Sequence, residues 1–178
     1  IPQSPELDFA VSELLASDSR YDRGSYAVLY LSPRDYHRVH APVRGEVVGF
    51  SYRPGRFWPV FPAATRKIRG LFARNERMVV RLATEPWGEV ACVLVGAFGV
   101  GRMAAVFTDL VTNTGVPGRD EELSPPWPLE RGQELGRFEM GSTVVLIFEE
   151  GRVNWTIRAG DSVKMGAPIA RAVESPAT

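Results

Sequence analysis

Residues 138–148 read FEMGSTVVLIF, and this stretch says most about both the fold and the chemistry of the chain. Val144 to Phe148 form an apolar run of strand length that is rich in β-branched residues. Just before it, Gly141 leaves its carbonyl carbon uncrowded, and Ser142 places a hydroxyl beside that carbonyl. A Gly-Ser bond here suits a protein that cleaves its own chain. Many strands begin with Gly-Ser-Thr, however, so the tripeptide needs a matching element elsewhere.

Other short apolar runs, separated by Gly and Pro turns, predict further strands. A helix is predicted over residues 7–16, where Leu7, Val11 and Leu14 share one face. The pattern indicates a mostly β fold, a barrel or sandwich, with a short N-terminal helix. The predicted strands are 26–31, 45–50, 78–82, 90–95, 101–107 and 143–148, with a hairpin turn at 85–88.

Two segments resemble parts of barrel-sandwich domains such as lipoyl and biotinyl carriers. Residues 158–170 resemble their closing turn, and residues 41–47 resemble their opening strand. Gly160 and Gly166 are expected to form tight turns. Residues 112–129 are rich in Gly, Pro and acidic side chains, which predicts a surface loop.

Composition limits the functional classes. The chain has 178 residues and a formal net charge of +0, which suits one domain spanning 1–178 and gives no electrostatic case for a nucleic-acid partner. Cys92 is the one cysteine, so an internal disulfide is excluded. No apolar run approaches the roughly 20 residues that span a bilayer, and no signal peptide is visible. Because the chain starts at Ile1 rather than Met, we expect a trimmed chain or a fragment.

Both histidines of the chain lie within residues 30–42, which read YLSPRDYHRVHAP. His37 and His40 are three residues apart, and imidazole can act as a base or an acid near neutral pH. This segment is the matching element that the Gly-Ser bond requires.

Three separated segments resemble the phosphatidylserine decarboxylases, which are pyruvoyl-dependent enzymes. They are residues 30–42, 71–77 (LFARNER) and 136–144 (GRFEMGSTV), in the family's order and with family-like spacing. Residues 95–97 (VGA), ahead of Val100 and Gly101, also fit. The resemblance runs from about Leu14 to the C-terminus and is specific because three motifs agree.

The resemblance implies self-cleavage at Gly141-Ser142. Ser142 Oγ would attack the carbonyl of Gly141, with His40 as the base. Elimination and hydrolysis would convert Ser142 into a pyruvoyl group, the expected cofactor. The products would be a β chain, 1–141, and an α chain, 142–178. A turn-capping role before Pro42 is the alternative for His40.

The pyruvoyl group would form a Schiff base with phosphatidylserine and accept the electrons released as carbon dioxide departs, giving phosphatidylethanolamine. By resemblance, His37 returns a proton to the α carbon; a surface imidazole in a turn is the alternative. No metal is expected.

The resemblance also implies peripheral contact with an anionic membrane, at the cytoplasmic face of a bacterial cell membrane. The basic run 66–69 follows Phe57, Trp58 and Phe61, which suits such a surface. A solvated loop with its aromatic side chains in the core is the alternative. The two chains of the precursor are expected partners, and a homodimer is left open.

The chain departs from the family at one point. The family's relay includes an Asp from an upstream Asp-Gly turn, and this chain has no Asp-Gly. We expect either a chain lacking the family's N-terminal region or a replacement acid, with Asp22 and Asp35 nearest in sequence. Arg74 and Arg77 could bind phosphate or pair with nearby glutamates.

Three other interpretations stay open. Lys164 superficially resembles a biotin acceptor, which would make the chain a carrier or binding domain, but no later Lys follows the turn. A serine hydrolase would show Gly-x-Ser-x-Gly, which residues 139–144 do not. A decarboxylase for another amine-bearing acid, or a catalytically silent homologue, is the third.

Overall fold

The computed structural model describes residues 11–15, 19–65, 67–99, 102–139 and 142–173. The helices are short, and most of the ordered backbone is strand. The helices are α1 (Val11–Leu15), α2 (Pro62–Thr65) and α3 (Leu71–Arg74), with a 3-10 turn at Ser19–Tyr21. The strands are β1 (Ser25–Leu31), β2 (Arg38–His40), β3 (Gly45–Arg53), β4 (Arg77–Thr84), β5 (Gly88–Val95), β6 (Met103–Ala105), β7 (Arg119–Leu129), β8 (Glu134–Phe138), β9 (Ser142–Phe148), β10 (Val153–Trp155) and β11 (Ala170–Ala172).

The largest sheet has six antiparallel strands in the order β1-β9-β5-β4-β3-β7. β9 lies between β1 and β5, and its residues Val144 to Phe148 are all at most 5% exposed. A strand covered on both faces needs an uninterrupted apolar run rather than an alternating one. The predicted strands 26–31, 45–50, 78–82, 90–95 and 143–148 are confirmed, as is the hairpin of β4 and β5.

Two smaller sheets complete the fold, one of β2-β8-β6 and one of β10-β11. Over the described residues the sheets stay open and do not close into a barrel, while the prediction of a mostly β fold is confirmed. Gly160 and Gly166 have φ values of 94° and 81°, in the left-handed region that favours glycine, so the predicted tight turns are confirmed.

The surface loop predicted over 112–129 is wrong for its second half. Residues 119–129 form β7, the edge strand that pairs with β3. The register shifts between Val47 and Gly49, so that residues 123–126 face Val48 alone, and this bulge holds Pro125 and Pro126. An edge strand tolerates proline and charge because one side of its backbone stays unpaired. The composition that indicated a loop is therefore also that of a protected sheet edge.

One predicted helix is described only in part, and one predicted strand is shorter than expected. The described part of the predicted helix 7–16 is α1, and residues 7–10 and 16 lie outside the described residues. Arg77 of β4 donates to the backbone carbonyls of Glu13 and Leu14 at 3.1 and 2.6 Å, which fixes α1 against the sheet. The strand predicted over 101–107 is β6, because the chain turns after Ala105.

Candidate active site

The backbone around Ser142 is held by two strand pairs that form one interrupted ribbon. One edge of the ribbon is β1 followed by β2, and the other edge is β8 followed by β9. In the part formed by β1 and β9, Leu31 pairs with Ser142. In the part formed by β2 and β8, the Phe138 N–H donates to the His37 carbonyl at 2.9 Å. Ser142 and His37 therefore lie at the two ends of the same short interruption.

Gly141 lies outside the described residues, and Ser142 is described here through its backbone. The assignment of these two residues as the cleavage site, and of His37 and His40 as catalytic residues, stays a prediction. The structure does show what surrounds each imidazole.

The imidazole of His40 is hydrogen-bonded through both nitrogens. Nδ1 lies 2.7 Å from the carbonyl oxygen of Gly132, and Nε2 lies 2.8 Å from the Tyr36 hydroxyl. The Tyr36 and His40 rings also stack, with centroids 5.6 Å apart and an interplanar angle of 21°. A carbonyl oxygen can only accept, so the geometry assigns the proton to Nδ1. The lone pair that could act as a base is therefore at Nε2, where the Tyr36 O–H donates.

The carbonyl of Gly132 is fixed by a tight turn between β7 and β8. The Gly132 N–H donates to Ala41 at 2.9 Å, and the Ala41 N–H donates back to Gln133 at 2.8 Å. The Gln133 side chain accepts from the Glu130 N–H at 2.7 Å, and Gly132 has a φ of 84°. This turn selects the tautomer of His40 as an orienting carboxylate would, but it supplies no negative charge.

His37 has a different environment. Its Nε2 lies 3.4 Å from the Pro33 carbonyl, a long contact in which the nitrogen is the donor. Its Nδ1 is buried and has no hydrogen-bond partner among the described residues. A buried acceptor without a partner is costly, so such groups in a fold call for an explanation.

Thr143, which follows Ser142, carries a second such atom. The residue is 0% exposed, and its Oγ1 has no partner within the described parts of the chain. Its backbone is paired on both sides, with Tyr30 of β1 and Val95 of β5. Over the described residues, the buried side-chain atoms without partners are these two, and both belong to the interrupted ribbon.

Asp35 closes its own turn instead of orienting His40. Its carboxylate accepts from the Ser32 N–H at 2.7 Å, and its N–H donates to the Ser32 carbonyl at 2.9 Å. The hydrogen bonds from Ser32 hold the pKa of Asp35 below its ordinary value, and the charge of His37 contributes less. Asp22 lies exposed in the turn before β1. The partners of His40, Tyr36 and the Gly132 carbonyl, were not singled out from the sequence.

Arg77 is a buried structural residue rather than a ligand of an exposed phosphate. It donates to backbone carbonyls, including those of Leu14 at 2.6 Å and Ala73 at 2.5 Å. Burial, with a smaller effect of Arg53, lowers its pKa to about 10. Arg74 instead lies over the Trp58 ring, with 4.4 Å from the guanidinium carbon to the ring centroid.

Glu76 is also buried, at 3% exposure, and takes no part in an ion pair with Arg77 that the structure describes. It accepts from the Tyr52 hydroxyl at 2.5 Å and from the Asn113 N–H at 3.0 Å. Desolvation by burial, followed by the hydrogen bond to Glu76 and its charge, raises the pKa of Tyr52. Glu76 and Arg77 of the LFARNER motif thus have structural roles, in buried hydrogen bonds at β3 and β4.

Phe61, a few residues before the basic run, is 47% exposed, and Phe98 is 79% exposed. Lys67 and Arg69 are exposed as well, while Arg66 lies outside the described residues. In the described part of the chain, no helix combines the length and apolar character needed to cross a membrane.

Comparison with known proteins identifies the family. A family profile described as phosphatidylserine decarboxylase matches residues 3–171. The chain belongs to the phosphatidylserine decarboxylase family. The match includes the three motifs at residues 30–42, 71–77 and 136–144 and the segment around Lys164, so it favours this family over a carrier domain.

Individual family members agree over most of the chain. A phosphatidylserine decarboxylase proenzyme of Anaeromyxobacter sp. (strain K) is 46% identical over 175 residues, which is 94% of this chain and 62% of that protein. The proenzyme of Myxococcus xanthus is 46% identical over 156 residues, covering 86% and 55%. That of Brevibacillus brevis is 40% identical over 175 residues, covering 94% and 62%. The chain therefore spans about three-fifths of the length of these relatives.

Proposed function

We propose that this chain carries the site of a phosphatidylserine decarboxylase that matures by serinolysis at Gly141-Ser142. The observation that carries the proposal is the interrupted ribbon, which anchors Ser142 and His37 at the two ends of one gap in a chain of this family. The name proenzyme, borne by the relatives, denotes a precursor and supports processing.

In the proposed cleavage, Ser142 Oγ attacks the carbonyl carbon of Gly141 and loses its proton to His40 Nε2. The peptide bond breaks, the freed amine takes a proton, and an ester joins the two parts of the chain. Elimination then releases the carboxylate of Gly141 and leaves dehydroalanine at position 142. Hydrolysis yields ammonia and the pyruvoyl end. The hydrogen bond from His40 Nδ1 to Gly132 supports this role, because it leaves Nε2 as the basic nitrogen.

The same residues fit the pyruvoyl group. That group supplies an electron sink for the charge left as carbon dioxide departs. The unpartnered His37 Nδ1 supports a role for this imidazole in holding a proton for the α carbon. The proposed substrate is phosphatidylserine and the product phosphatidylethanolamine, in keeping with the names of the relatives.

The proposed location is the cytoplasmic face of the cell membrane, as a peripheral protein. Exposed Phe61 and Phe98, with Lys67 and Arg69 near Phe61 in the sequence, support contact with an anionic lipid surface. The α and β chains of one precursor would stay together, since β9 is hydrogen-bonded to β1 and β5.

Denaturing mass spectrometry tests the proposal. When the upstream segment of a longer relative is supplied, the protein should separate into 1–141 and 142–178, and the second chain should resist Edman degradation because a pyruvoyl end has no amine. Ser142→Ala should remain one chain without decarboxylase activity. Cleavage of Ser142→Ala between residues 141 and 142 would show that another group is the nucleophile.

A further inference from the structure

The hydroxyl of Thr143 is a buried donor to which the fold gives no partner among the described residues. The residues of β9 that follow it are Val, Leu, Ile and Phe, and valine has nearly the shape of threonine. Valine would fill this position without leaving a polar atom unsatisfied. A threonine here therefore costs stability that valine would not, and a use of the hydroxyl in chemistry would explain its presence.

We propose that Thr143 is a catalytic residue of self-cleavage, whose hydroxyl donates a hydrogen bond to the Gly141 carbonyl oxygen as Ser142 attacks. The inference rests on the proposed function. Attack places negative charge on that oxygen, and a donor aimed at developing charge lowers the barrier most when it is fixed in advance.

The position of Thr143 suits this role in two ways. It is the first residue after Ser142, and pairing with Tyr30 and Val95 fixes its backbone on both sides. Its β-branched side chain is restricted to few rotamers, and burial excludes water that would compete for the hydroxyl. The donor is therefore buried and held on a fixed backbone, one residue after Ser142.

Thr112 provides a matched control. It is also 0% exposed, but its Oγ1 accepts from the Met103 N–H at 2.9 Å. Replacing Thr112 by valine removes a hydrogen bond that the fold uses, whereas replacing Thr143 by valine removes a hydroxyl that the fold does not use.

The experiment measures stability and cleavage separately. Stability is measured in the Ser142→Ala background, so that cleavage does not alter the chain during unfolding. There, Thr143→Val should keep or raise the unfolding midpoint, and Thr112→Val should lower it. With Ser142 present, Thr143→Val should slow cleavage about 10²- to 10³-fold, the usual loss for an oxyanion donor. Thr112→Val should cleave at the parent rate.

Thr143→Ser completes the design. It keeps the hydroxyl and loses a buried methyl, so it should be less stable yet cleave close to the parent rate. Equal cleavage of Thr143→Val and the parent would overturn the inference and leave the proposed function standing. Slow cleavage together with a lowered midpoint in Thr143→Val would show a structural role and also overturn it. A parent that stays uncleaved even when the upstream segment of a longer relative is supplied would overturn the proposed function, and the inference with it.

Discussion

The two halves of the interrupted ribbon differ in length, burial and the way in which their polar groups are satisfied. β1 and β9 pair over seven consecutive residues, and the β9 side is buried. β2 and β8 pair over three residues with a register shift at Val39 and His40, and their exposed charges, Arg38 and Glu134, form an ion pair. The proposed nucleophile, Ser142, belongs to the long half, and His37 and His40 lie in or beside the short half. Ser142 thus begins a strand that is paired on both sides, while the proposed acid–base groups lie at a pair of only three residues.

The proposed mechanism gives the two histidines different tasks, and replacing them should give the largest effects. His40→Ala removes the base and should block cleavage. His37→Ala should leave cleavage largely intact but slow carbon dioxide release, and acid–base help is typically worth about 10²–10⁴-fold. A gel time course measures the first effect, and release of labelled carbon dioxide from phosphatidylserine measures the second. Equal cleavage defects in both variants would contradict this division of tasks.

Within the described residues His40 is hydrogen-bonded to a hydroxyl and a carbonyl rather than to a carboxylate, and this difference gives the next effect. Loss of the triad Asp costs a serine protease roughly 10⁴-fold, partly because the wrong tautomer forms. Here the Gly132 carbonyl already selects the tautomer, so we expect slow cleavage of the 178-residue chain and a gain smaller than 10⁴-fold from an added acid. The test supplies the upstream segment of a longer relative, in cis or as a separate polypeptide. Rapid and complete cleavage of the chain by itself would show that the Gly132 carbonyl is enough to orient His40 without a carboxylate.

Replacing the two hydrogen-bond partners of His40, Gly132 and Tyr36, should affect cleavage in different ways. Gly132→Ala strains a residue at φ 84° and should move the carbonyl that fixes Nδ1–H, so cleavage should slow and the tautomers should mix. Tyr36→Phe keeps that hydrogen bond and frees Nε2, so cleavage should be unchanged or slightly faster. Nitrogen chemical shifts of labelled His40 report the tautomer in both variants. Slower cleavage in Tyr36→Phe with an unchanged tautomer would mean that the hydroxyl takes part in proton transfer.

Much of the fold could be predicted from the sequence, because strands such as 90–95 and 143–148 carry continuous apolar runs between turn residues. β7 could not, since the composition of an edge strand with prolines in a bulge is also that of a loop. At the site, the two histidines were visible as the only ones in the chain. The role of Gly132 was not, because a backbone carbonyl contributes through position alone and leaves no side-chain signal.

Replacing Asp35, which lies on the connection between β1 and β2, should give the smallest effect, a change in how stability depends on pH. Its folded-state pKa is lowered from 3.8, mainly by hydrogen bonds from Ser32, so the charged carboxylate stabilises the fold. That contribution is fully present above the unfolded pKa and is lost as the pH falls through the lowered folded pKa. Between about pH 5 and pH 3, the parent should therefore lose slightly more stability than Asp35→Asn, whose amide does not titrate. The effect should be small because the carboxylate is exposed to solvent, which screens it. Urea unfolding of both proteins in the Ser142→Ala background measures the difference. An identical pH dependence would mean that the Ser32 turn is equally populated in the unfolded chain, in which case the turn holds His37 in place without contributing to stability.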